Sequence, residues 1–63
     1  MKLKDLRLSK GLTVKQLSNK SGLAVGYISD LENGKADNPS KLTLSKLANA
    51  LDVSISDLLD ESS

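Results

Sequence analysis

Residues 13–35 read TVKQLSNKSGLAVGYISDLENGK, and the architecture of the chain follows from the caps, apolar residues and glycines of this stretch. Thr13 precedes a helical run, Val14 to Ser21, and Gln16 stands three residues after it. In this Thr-x-x-Gln box each side chain satisfies a backbone N–H of the other residue, while Leu12 and Leu17 form a hydrophobic staple across the same turn. Gly22 ends the helix. Only Gly22, Leu23 and Ala24 separate it from a second run, Val25 to Asn33, which buries Ile28 and Leu31 and closes at Asn33-Gly34. Two short helices joined by three residues including a glycine describe a helix-turn-helix unit, here at about 13–34, whose second helix enters the DNA major groove. Spacing alone leaves another αα corner open.

Working outward, Lys2 to Lys10 puts Leu3 and Leu6 one turn apart and meets Gly11, a residue suited to the left-handed conformation that follows a helix. Downstream, the polar loop Lys35 to Asn38 leads to Pro39 and then to Leu44, Leu47, Ala48 and Leu51, an i, i+3, i+4, i+7 stripe. Ser40 and Thr43 are both candidates to cap that helix. A short last helix is marked by a Ser54-x-x-Asp57 box and a Val53–Leu58 staple, with Leu59 extending the apolar side and 60–63 as a tail. Thirteen leucines against one aromatic, three Val and two Ile predict an all-α, compact five-helix fold in a single domain over residues 1–63.

The composition narrows the function. The 63 residues contain no cysteine and no histidine, which removes disulfides and nearly every transition-metal site. The same absence takes away the commonest general base and the commonest activated thiol, so the chain is not expected to be an enzyme. No metal, cofactor or small-molecule ligand is expected either. No apolar run approaches the length of a membrane span, and the opening Met-Lys-Leu-Lys-Asp is unlike a signal segment, so a cytoplasmic protein without a membrane partner is expected. The formal net charge of +1 is uneven: residues 1–35 hold seven Lys/Arg against three acids, and residues 36–63 hold two against five. That split, +4 and −3, suits a basic face for a polyanion and an acidic end turned away from it, although among so few charges it also arises by chance.

The pattern Leu6-Arg7, Lys10-Gly11-Leu12-Thr13, Gln16-Leu17, Gly22, Tyr27-Ile28-Ser29, Leu31-Glu32-Asn33-Gly34-Lys35, Asn38-Pro39-Ser40, Leu47-Ala48, Ala50-Leu51, Val53-Ser54 and Leu58-Leu59 resembles the lambda/434 repressor and Cro family of helix-turn-helix domains, the XRE type. The resemblance runs from about Leu3 to Leu59. It implies a lambda-repressor-like five-helix domain that binds double-stranded DNA as a homodimer on a pseudo-palindromic operator. It further implies a structural ion pair between Arg7 and Glu32, phosphate contacts from Thr13, Lys15 and Gln16 and from Asn33 and Lys35, and dimerisation near Ile55 and the loop carrying Ala36 and Asn38. The bland alternatives are two independent surface charges for Arg7 and Glu32 and a capping box alone for Thr13 and Gln16.

Base readout is expected from Val25, Gly26, Tyr27, Ser29 and Asp30. Here the chain departs from the family, which often places Gln, Arg, Ser or Thr at the first two of these positions. Val25 offers only apolar contact, as to a thymine methyl, and Asp30 can accept from cytosine N4. Gly26 is a poor helix former and points to a close backbone approach or a loose helix. Tyr27 either donates its hydroxyl or packs its ring on the domain. The expected function is a sequence-specific transcriptional regulator, a repressor by preference. The alternative is a protein-interaction module of the same fold, antitoxin-like or an adaptor, and the chain also reads as the DNA-binding part of a longer regulator.

Overall fold

A computed structural model describes residues 1–59; the expected tail at 60–63 lies outside the described residues. Five helices follow one another: α1 (Leu3–Ser9), α2 (Val14–Ser21), α3 (Val25–Glu32), α4 (Lys41–Leu51) and α5 (Ile55–Leu59). No strand occurs among the described residues. The ends of α1 and α3 fall one residue inside the expected limits, because Lys2, Lys10 and Asn33 act as caps. Ser40, not Thr43, caps α4: its Oγ accepts the Thr43 N–H at 3.1 Å. The Ser54 box is formed, with Asp57 N–H donating to Ser54 Oγ at 3.0 Å and Ser54 N–H to Asp57 Oδ2 at 3.4 Å.

Each helix contributes at least one residue to a single core: Leu3, Leu17, Ile28 and Leu31, Leu47 and Leu51, and Leu58. Leu6, Leu12, Leu23, Leu44 and Val53 are partly buried around it. α2 packs against α3 and α4, α4 against α5, and α1 against α3. The Lys2 N–H donates to the Leu58 carbonyl at 2.9 Å and joins the start of the chain to α5.

Two expectations at the C-terminal end are corrected. Leu59 does not extend the core but is 45% exposed while Leu58 is fully buried, since neighbouring residues on a helix point about 100° apart and α5 turns only one side inward. Ile55, expected on the Val53–Ser56 segment ahead of the last helix, is instead the first residue of α5 and half-buried. No helix among the described residues is long and apolar enough to cross a membrane.

Candidate nucleic-acid interface

The α2–α3 unit is held by bonds that leave its outward face clear. At the start of α2, Thr13 N–H donates to Gln16 Oε1 at 2.8 Å and Gln16 N–H to Thr13 Oγ1 at 3.0 Å. At its end Gly22 sits at φ 75, a left-handed conformation that a side chain at this place would strain. Two serines then lock the turn: Ser18 Oγ donates to the Leu23 carbonyl, and Ser21 Oγ accepts from Leu23 N–H at 3.3 Å. Sequence reasoning missed both, because a serine inside a helical run carries neither an apolar nor a capping signal. Their positions, five residues before the turn carbonyl for Ser18 and two before the turn amide for Ser21, were the available clue.

Arg7 and Glu32 meet although 25 residues separate them in sequence. Arg7 Nε donates to Glu32 Oε2 at 2.7 Å and Nη2 to Oε1 at 3.2 Å, a bidentate pair whose side chains are only 9% and 6% exposed. A third bond, Nη1 to the Leu12 carbonyl at 2.8 Å, reaches the residue just before the α2 cap. The guanidinium pKa is pushed above its ordinary value by the hydrogen bonds it donates to Glu32 and by the Glu32 charge, against the opposing effect of burial. One side chain of α1 thus ties the lead into α2 to the last residue of α3.

On α3, Val25, Gly26 and Asp30 are exposed. Ser29 is half-buried and its Oγ accepts from Asn33 Nδ2 at 3.4 Å; Tyr27 is half-buried and packed against the core. Thr13, Lys15 and Gln16 lie exposed at the start of α2. Asn33 and Lys35 lie exposed where α3 ends, and the Lys35 and Ala36 amides both return to the Asp30 carbonyl, at 2.8 and 3.2 Å. No lysine or arginine stands between Val25 and Gly34, so cations flank this face but do not occupy it.

The residues expected at a dimer contact are only partly brought together. Ala36 and Asn38 line a hollow of about 570 Å³ with Leu31, Pro39, Leu44 and Leu59, while Ile55 is not in its lining. Leu59, four residues after Ile55 on α5, is the exposed apolar residue there that sequence reasoning assigned to the core.

Comparison with known proteins supplies the context. A family model described as helix-turn-helix matches residues 3–58. The HTH-type transcriptional regulator SinR of Bacillus subtilis (strain 168) is 40% identical over 60 residues, covering 95% of this chain and 54% of its own length. The HTH-type transcriptional repressor RghR of the same organism is 45% identical over 51 residues, covering 81% and 38%. The chain thus spans about half the length, or less, of these relatives. A crystal structure of SinR in complex with DNA superposes with a TM-score of 0.89 at 39% identity, covering 94% of each chain.

Proposed function

The chain belongs to the helix-turn-helix family, and from that premise we propose that it is a sequence-specific DNA-binding domain of a transcriptional regulator, a repressor acting as a homodimer. The observation that carries this reading is the likeness, over nearly the whole of both chains, to a structure that holds DNA. In this assignment α3 lies in the major groove and Val25, Gly26, Tyr27, Ser29 and Asp30 are its base-facing set. Thr13, Lys15 and Gln16, at the positive end of the α2 dipole, and Asn33 and Lys35, after α3, take the phosphates on either side. The role is binding without catalysis, in the cytoplasm, with residues 1–63 acting as one domain.

A homodimer fits this assignment: the described residues span at most 27 Å, less than the roughly 34–36 Å between major-groove faces one helical turn apart, so on an operator with two half-sites each half-site takes its own copy. We assign that contact to Ile55 on α5 and to the loop carrying Ala36 and Asn38, with Leu59, exposed on the same helix, lining a hollow with that loop.

Binding of the purified protein to a random duplex at low salt tests the reading. With about three phosphates neutralised per copy, log affinity falls against log salt with a slope of roughly −5 to −6 for a dimer. The exposed carboxylate of Asp30 and the absence of cations on α3 favour the second reading, a protein-interaction module. No binding by the folded protein at low salt would select that module and reject the DNA assignment.

A further inference from the structure

Ala24, Val25 and Gly26 open α3, all three exposed and none with a polar side-chain atom. Val25 is 45% exposed, and its branched Cβ restricts χ1, so its two methyl groups are held in few orientations. Gly26 has no structural reason to be glycine. Its backbone is not left-handed, unlike Gly11, Gly22 and Gly34, and a Cβ built on it meets nothing within 4 Å. Helix propensity disfavours glycine there as well. The interior makes no use of the missing side chain, which leaves the backbone of α3 bare on its exposed side.

Resting on the DNA assignment above, we propose that Val25 and Gly26 form an apolar notch that reads the C5-methyl group of a thymine. Hydrogen-bond readout is not available from side chains at Ala24, Val25 or Gly26, and in the major groove the one apolar feature that distinguishes a base pair is the thymine methyl. Val25 covers that methyl, and the bare Cα of Gly26 lets the helix backbone come close enough for it to do so. The two residues set specificity and leave phosphate contacts unchanged.

The test uses a half-site returned by selection from random duplexes, with each thymine replaced singly by deoxyuridine. One position per half-site weakens wild-type binding by about fourfold, the effect of losing one buried methyl group. The Val25→Ser protein binds the thymine and deoxyuridine sites equally. Gly26→Ala melts at a higher temperature than the wild type yet binds the selected site about tenfold more weakly, the size of one mismatched base pair. Wild-type binding that is indifferent to deoxyuridine at every position, or Gly26→Ala binding at wild-type strength, overturns the notch while leaving the DNA assignment standing. A wild type that binds no DNA overturns both.

Discussion

Arg7 joins three segments through one buried guanidinium, and its energetics differ from those of a surface ion pair. With both partners less than a tenth exposed, desolvation offsets much of the attraction, so the intact pair adds little net stability. Removing one partner is different, because it strands a charge: the cost is about 3–5 kcal/mol. A domain of this size has a total stability of about 3–9 kcal/mol. Glu32→Ala is therefore expected to be largely unfolded or to melt far below the wild type by circular dichroism, whereas Arg7→Met combined with Glu32→Leu recovers most of the loss. A Glu32→Ala melting temperature close to the wild type would contradict the clamp. The pairing was legible only through the family resemblance, since two charges 25 positions apart carry no periodic signal. The bond from Arg7 to the Leu12 carbonyl was not legible at all, because a backbone acceptor leaves no trace in residue identity.

The helices are short, and their ends decide whether they hold. Three of them finish with the same backbone reversal, in which an amide returns to the carbonyl five residues earlier: Leu12 to Arg7 at 3.1 Å after α1, Lys35 to Asp30 at 2.8 Å after α3, and Val53 to Ala48 at 3.0 Å after α4. Each needs a left-handed residue before the donor, at Gly11, Gly34 and Asp52 respectively. The first two stops were readable because glycine announces them. Asp52, at φ 57, hid the third, since aspartate tolerates this region at a cost and gives no comparable signal. Its negative charge is also at the unfavourable end of the α4 dipole. Asp52→Gly should stabilise the protein by about 0.5–1 kcal/mol and raise its melting temperature by several degrees. An unchanged or lower melting temperature would mean that the Asp52 side chain makes a compensating interaction with the start of α5. The boxes at Thr13 and Ser54 were legible because both partners are short-range and of the expected types. Leu59 was misread because a five-residue helix has too few positions to reveal which side faces inward.

Charge, size and symmetry act on the molecule as a unit. The excess of cations over acids in residues 1–35 covers the segment that includes α2, α3 and the loop through Lys35, and the acids collect after it. On the proposed DNA assignment, a single copy, 27 Å across its described residues, would engage one groove face and a symmetric pair two. The dimer surface assigned to Ile55 and its neighbours predicts that sedimentation at micromolar concentration gives a dimer mass for the wild type and a monomer mass for Ile55→Asp. Monomer mass in both would reject that surface, and dimer mass in both would move it elsewhere on the molecule. The assignment of a homodimeric DNA reader is tested most directly by a selection of random DNA duplexes against the purified protein. It predicts an enriched pseudo-palindrome whose half-sites are centred about one helical turn, roughly 10 base pairs, apart. Sequences without two-fold symmetry, or no enrichment by folded protein, would contradict it.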